Sequence, residues 1–509
     1  MILFSLRYLV IVLLSLVLSG CMLGPNFHSP AAPKVDSYTA APPATKTISA
    51  PRAGASGKAQ HFAEGEKIPA EWWKVFHSPE LNALIVAGIA HSPNLAAAKA
   101  TLDEAQEALK AQIGTSLFPQ VTAQLGGERQ LFNTSSFGTS SDSNLVGSSG
   151  SNIFNLYNAS VNVSYTLDVF GAARRQIESL AAQVDYQDFE LEAAYLTLTS
   201  NIVTTAISIA SYRGQIKATK DLIKAEKDML DISNKQYHYG GVSGLSVYSQ
   251  VSQLALTQAT LAPLEQGLVQ AQYALSVLIG EFPSEDKLPK FDLDKLNLPT
   301  NLPVSLPSML VRQRPDVRAS EALLHYANAQ VGVATANLFP QFTLTGLYGW
   351  ESLVPSGLFN KVNNTWNWGG TMLQPIFEGG ALRAKRRGAI DAYNVAAAQY
   401  KQTVLSAFQN VADTLRALQH DAQSLKAYKD AEIAALRAFK ITRLQFNEGG
   451  VSYLQLLTAE NQYQQAIISR VQAQAARYSD TAALFQALGG GWWNRNCCCP
   501  VDTKERRIA

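Results

Sequence analysis

Two rows of side chains repeating every seven residues constrain this chain more than any other feature. One row is Tyr195, Ile202, Ile209, Ile216, Ile223 and Leu230; beside it run Val184, Leu191, Leu198, Thr205, Tyr212 and Thr219. No proline stands between Pro119 and Pro263. A seven-residue apolar repeat is the pattern of a helix in a left-handed coiled coil, so one helix is predicted from Gly171 to Tyr239. At 1.5 Å per residue it reaches on the order of 100 Å, and it must run along something elongated.

The helix occurs twice. At an offset of 209 the first row returns as Val404, Val411, Leu418, Leu425, Glu432 and Phe439, with Glu432 the one polar exception. Tyr239-Gly240-Gly241-Val242-Ser243 returns as Glu448-Gly449-Gly450-Val451-Ser452, and Leu278-Ile279-Gly280 as Ala487-Leu488-Gly489. Leu117-Phe118-Pro119-Gln120 returns as Leu338-Phe339-Pro340-Gln341, and Ser92-Pro93-Asn94-Leu95 as Arg314-Pro315-Asp316-Val317. The chain is a tandem duplication of a unit far longer than a solenoid repeat. Each Gly-Gly pair is predicted to close a helical hairpin, with shorter helices at Ser92–Leu117 and Val242–Ile279 making a second track.

Between the helices the period changes. Gln120–Phe132 and Phe154–Phe170 alternate apolar with polar residues, and Gln341–Glu351 and Thr365–Phe377 do so in the second copy. Each is about the length of a membrane-spanning strand. A Ser-, Gly- and Asn-rich loop is expected over Asn133–Asn155. Four strands cannot close a barrel in lipid, because both sheet edges would keep unpaired backbone groups. Chains would have to pool strands, two giving eight or three giving twelve.

Residues 1–20 read as a secretory signal: Arg7, an apolar run, then small residues. Leu18-Ser19-Gly20-Cys21 resembles the bacterial lipobox, which makes Cys21 the expected lipidation site, with a diacylglycerol and an N-acyl chain as its only covalent groups. Met22 in the next position leans to the outer membrane. Residues 21–69 are expected to be a lipid-anchored tether, 70–280 the first repeat, 281–311 a proline-rich linker, 312–490 the second repeat, and 491–509 an unstructured tail. Cys497-Cys498-Cys499 lacks the spaced pairs of a zinc site. Lys and Arg number 42 against 40 Asp and Glu, so charge gives no argument for a nucleic-acid partner. No internal transmembrane helix is expected.

Further motifs carry a family. Gly24-Pro25-Asn26-Phe27 after Cys21, Trp72-Trp73 with Leu81, Leu84 and Ile85, Arg312-Gln313-Arg314-Pro315-Asp316-Val317, Phe339-Pro340-Gln341, and Phe446 with Gly449, Tyr453-Leu454 and Leu456-Leu457 resemble the TolC-type outer-membrane efflux channels. The resemblance is to their OprM-like lipoprotein branch, which serves RND-type tripartite pumps. It implies a mainly helical fold with membrane strands. Three chains would form a 12-stranded outer-membrane β-barrel, four strands per chain, continuous with a periplasmic α-helical coiled-coil barrel. It implies a homotrimer partnered by a periplasmic adaptor (membrane fusion) protein and an inner-membrane RND-type pump. Substrates such as drugs, toxic small molecules or ions would be conducted passively. The adaptor would dock on Gly240, Gly241, Val242, Ser243, Gly449, Gly450, Val451 and Ser452. Tyr428 aligns with a tyrosine of the family's gate links, and Asp421 and Asp430 flank it as candidates for a carboxylate ring.

An enzyme is the first rival reading. Histidines 28, 61, 77, 91, 238, 325 and 420 are scattered, with no His-Glu-x-x-His, phosphate loop or dinucleotide glycine pattern. Neither catalytic residues nor metal ligands are expected. A second rival, a helical periplasmic lipoprotein spacer without channel activity, leaves the paired alternating segments unexplained.

Overall fold

A computed structural model describes residues 22–40, 44–132, 152–285 and 288–495. Cys21, the signal segment, residues 133–151 of the predicted loop and Cys497–Cys499 lie outside the described residues. The helices are α1 (Pro79–His91), α2 (Pro93–Leu117), α3 (Ala172–His238), α4 (Gly244–Leu278), α5 (Pro307–Gln313), α6 (Pro315–Ala336), α7 (Ala381–Asn447) and α8 (Tyr453–Ala487). The strands are β1 (His61–Glu64), β2 (Gln120–Phe132), β3 (Asn152–Leu167), β4 (Asn301–Val304), β5 (Gln341–Ser352) and β6 (Asn364–Leu373). Two compact units result: residues up to 29, 103–185 and 322–398 form one, and 30–102, 186–321 and 399 onward form the other.

The first unit holds an antiparallel sheet in the order β2-β3-β5-β6. Its register sorts the side chains by polarity. Val121 pairs with Val163 and Ala123 with Val161; Val161 then pairs with Tyr348, and Tyr348 with Trp366. Because successive side chains alternate between faces, one face carries Val121, Leu125, Val161, Leu344, Trp368 and Met372. These side chains are exposed, Leu125 at 78% and Trp368 at 81%. The opposite face carries Gln, Thr, Ser and Asn, as in the pair Thr122 with Asn162. β6 stops at Leu373, short of the expected Phe377, because Pro375 lacks the N–H that the ladder needs. β3 runs from Asn152 to Leu167, two residues earlier at its start and three at its end than the alternation alone suggests.

In the second unit the first heptad row and its repeat become a core. Ile202, Ile209, Ile216 and Ile223 are buried, and so are Val404, Val411, Leu418 and Leu425. Glu432, the polar exception, takes Lys429 at 2.8 Å and Arg470 at 3.3 Å. α3 and α7 each span 67 residues, on the order of 100 Å of helix. By length and composition one window of α3 could cross a membrane, with mean hydropathy 1.3, but half of it is buried inside the protein as the seam requires.

The expected tether over residues 21–69 is a packed segment from residue 44 onward. β1 pairs in parallel with β4, a strand inside the expected linker. Arg477 of α8 is fully buried and holds this segment. It donates to Ser56 O and Lys58 O at 2.7 Å each, to Thr47 Oγ1 at 3.1 Å and to Gln60 Oε1 at 3.3 Å. Apolar periodicity is missing here because one guanidinium and backbone acceptors do the holding. Residues 491–495 of the expected tail are also packed. Trp492 Nε1 donates to Gln313 O at 2.8 Å, and Asn494 Nδ2 to Ile68 O at 2.8 Å. Trp72 stacks on Phe485 with centroids 5.5 Å apart, which gives the Trp72-Trp73 pair its place in the core.

Arg477→Ala leaves four acceptors without their shared donor. It should lower stability by roughly 3 kcal/mol and expose residues 44–69 to limited proteolysis, measured on the detergent-extracted protein.

Candidate functional site

The two helical turns predicted as docking tips have one geometry. Gly240 has φ +75°, and so does Gly449. Gly240 N–H donates to Tyr237 O at 3.0 Å and Gly241 N–H to Gln236 O at 2.7 Å. In the second copy Gly449 N–H donates to Phe446 O at 3.0 Å and Gly450 N–H to Gln445 O at 2.8 Å. This pair of bonds is the Schellman closure, and its left-handed residue is the reason for glycine. Val242 and Ser243, with Val451 and Ser452, lead into α4 and α8.

The tips differ in chemistry. Ser452 Oγ accepts from Gln455 N–H while Gln455 Oε1 accepts from Ser452 N–H, a complete capping box. The first copy has Ser246 where the second has Gln455, and the Ser243 side chain makes no such cap. The first tip exposes Tyr239 at 86%, Leu245 at 76% and Tyr248 at 75%. In the second tip Tyr453 is turned inward and Leu454 stays exposed.

The three gate candidates on α7 go to different places. Tyr428 is exposed at 43%. Asp430 lies 3.6 Å from Arg52 on the surface. Asp421 is turned toward α8, where burial and then Asp480 push its carboxyl up to about 7. Nine residues of helix turn a side chain by ~180°, so Asp421 and Asp430 face opposite ways.

A third site was not legible in the sequence. Arg175, fully buried at the start of α3, donates to Leu23 O at 3.0 Å, Gly24 O at 3.2 Å and Asn26 Oδ1 at 2.8 Å. It also pairs with Glu178 at 2.7 Å. Glu178 meets His325 Nε2 at 2.9 Å, and His325 stacks on Phe27 with centroids 4.4 Å apart. Burial opposes the Glu178 charge, yet hydrogen bonds from His325 and Arg175 outweigh it and hold the carboxyl below its ordinary range. Gly24 has φ +94°, and a Cβ there would lie 2.5 Å from Gly332 Cα. Leu23 N–H donates to Phe170 O at 3.2 Å. The stretch just after Cys21 is therefore clamped. The Gly24-Pro25-Asn26-Phe27 motif was the available signal, and the partner on α3 was the missing half.

Two predictions follow from these geometries. A Cβ at Gly240 or Gly449 meets nothing within 4 Å, so Gly240→Ala or Gly449→Ala should cost only the left-handed conformation, about 1 kcal/mol each, read by thermal unfolding. Arg175→Met should release residues 23–27, read as faster proteolysis near the N-terminus.

The family model described as outer membrane efflux protein matches residues 84–281 and 306–490. The pyoverdine export outer membrane protein OpmQ of Pseudomonas aeruginosa is 28% identical over 476 residues, covering 94% of this chain and 96% of that protein. The toluene efflux pump outer membrane protein TtgC of Pseudomonas putida is 26% identical over 480 residues, covering 94% of each. The crystal structure of the Campylobacter jejuni CmeC outer membrane channel aligns with a TM-score of 0.81 at 22% identity, over 92% of this chain and 95% of that one. That family consists of transport channels of the outer membrane, not enzymes. Two matched segments, one per repeat, and a shared fold over nearly the whole length place this chain in the outer membrane efflux protein family.

Proposed function

We propose that three copies of this chain pool their sheets into one 12-stranded barrel and act as the exit duct of a tripartite efflux pump. The observation that carries this reading is the continuous apolar face across β2, β3, β5 and β6, with β2 and β6 left as open edges among the described residues. Exposed apolar area of that extent suits lipid. Open edges in lipid demand partners of the same kind. The opposite, polar face then lines a wet lumen suited to passive conduction. Energy and substrate choice come from an inner-membrane pump of the RND type, and a periplasmic adaptor bridges to the Gly240–Ser243 and Gly449–Ser452 tips. The unlike surroundings of the two tips, Tyr239 and Leu245 against a capped Ser452, give an adaptor two kinds of contact per chain. Tyr428 is the gate residue in this reading, with Asp421 and Asp430 acting separately.

Cys21 is the acylated N-terminus in this reading. The clamp of residues 23–27 on Arg175 supports it, since a pinned backbone fixes where acyl chains enter the bilayer. Acyl burial contributes about 0.8 kcal/mol per methylene.

The test is the native mass of the protein extracted from purified outer membranes in mild detergent. Three chains per particle are expected; a monomer stable without detergent would overturn the duct and favour a helical spacer. Cys21→Ser should abolish incorporation of labelled fatty acid, and unchanged labelling would refute the anchor.

A further inference from the structure

The hairpin ends contain a buried polar cluster that the tips and gate candidates do not use. Glu226 of α3 is 0% exposed and Glu460 of α8 is 1% exposed. Neither forms an ion pair among the described residues. Glu226 Oε1 accepts from Thr257 Oγ1 at 2.9 Å and from Gln253 Nε2 at 3.3 Å. Gln253 Nε2 also donates to Asn461 Oδ1, beside Glu460, at 2.9 Å. Gln250 Nε2 donates to the Glu226 carbonyl at 3.0 Å. α3, α4 and α8 thus meet at these two carboxyl groups. Oε2 of each glutamate has no hydrogen-bond partner, and Gln250 Oε1 shares that condition.

Two ionised carboxylates in such a place would each be desolvated and would repel one another. Protonation of both removes both costs. It also converts an acceptor into an O–H donor, and orphaned acceptors such as Gln250 Oε1 are what that donor needs. The surrounding charges do not supply an alternative. α4 presents only neutral Gln250, Gln253 and Thr257. α3 adds Ser233, and α8 adds Tyr453. From α7 the Arg443 charge acts on Glu460, but less than burial and Glu226 do. Burial and then Glu226 push the Glu460 carboxyl up to about 7. Burial raises Glu226 as well, against hydrogen bonds from Thr257 and Gln253.

We propose that Glu226 and Glu460 are a proton-held latch: protonated, they clasp α8 to the α3–α4 hairpin, and ionised, they push the two apart. For carboxyls raised in the packed state, the added stability is complete below their ordinary range. It is lost as pH rises through the raised value. For Glu460 the window is therefore 4.5 to about 7, and Glu226 shifts in the same direction. The latch concerns helix packing and is measured without transport, so it fails or stands apart from the duct reading.

Hydrogen exchange on the detergent-extracted full-length protein, corrected for intrinsic rates, tests it. Protection over residues 222–234 and 453–464 should fall about tenfold or more between pH about 5.5 and about 8. The E226Q/E460Q double variant, neutral at every pH, should keep its protection. Equal wild-type protection at both pH values, or the same loss in the double variant, would overturn the latch. Infrared titration adds a second readout: a carboxylic C=O band beyond that of Asp421 should disappear near neutral pH in the wild type and be missing from the double variant, and equal bands in the two would refute the proposal.

Discussion

Lipid offers a strand no hydrogen bonds, and this constraint governs the whole chain. β2 and β6 end the sheet with open backbone edges, while the side chains between them turn an apolar face outward. Side chains cannot cure an open edge; another strand must. The requirement for partner chains thus arises from the backbone, and the apolar face only decides which solvent imposes it.

Duplication solves a second problem, that of length. A helix of about 100 Å needs a packing row that keeps its register where it is buried. Ile202 to Ile223 and Val404 to Leu425 keep that register in both copies. Glu432 breaks the apolar row but not the packing, since Lys429 and Arg470 give its charge two partners. The copies then diverge where their ends are exposed. The same Schellman bonds close both hairpins, yet Ser452 has a capping box and Ser243 has none. Backbone geometry is shared because glycine dictates it, while the side chains differ: Tyr453 packs on Phe446 in the second copy, and Tyr239 and Leu245 stay exposed in the first.

Buried polar groups mark where the chain is tied to itself. Arg477 and Arg175 each gather acceptors from a distant segment that has few apolar side chains of its own. A fully paired buried guanidinium fixes a segment firmly, whereas an unpaired carboxylate is costly. Arg175 and Arg477 are the first case. Glu226 and Glu460 are the second, with one oxygen each left without a partner.

The sequence by itself determined the periodic parts. Heptads with the flanking glycines specify α3 to within a residue of its ends and place its repeat α7, and alternation specifies β2 from Gln120 to Phe132. The Gly-Gly pairs specify both hairpin turns. These signals are local, because a helix or strand repeats its demand on every turn or pleat. Tertiary structure decided everything that depends on a single distant partner. Residues 44–69 look like a linker until Arg477, more than 400 positions away, supplies their donor. Gly24 to Phe27 look like a loose start until Arg175 and His325 receive them. Asp421 and Asp430 look like a pair along the chain, but the helix turns them to opposite sides. One buried guanidinium or carboxyl leaves no period for a sequence to display, and its effect exists only once the chain has folded around it.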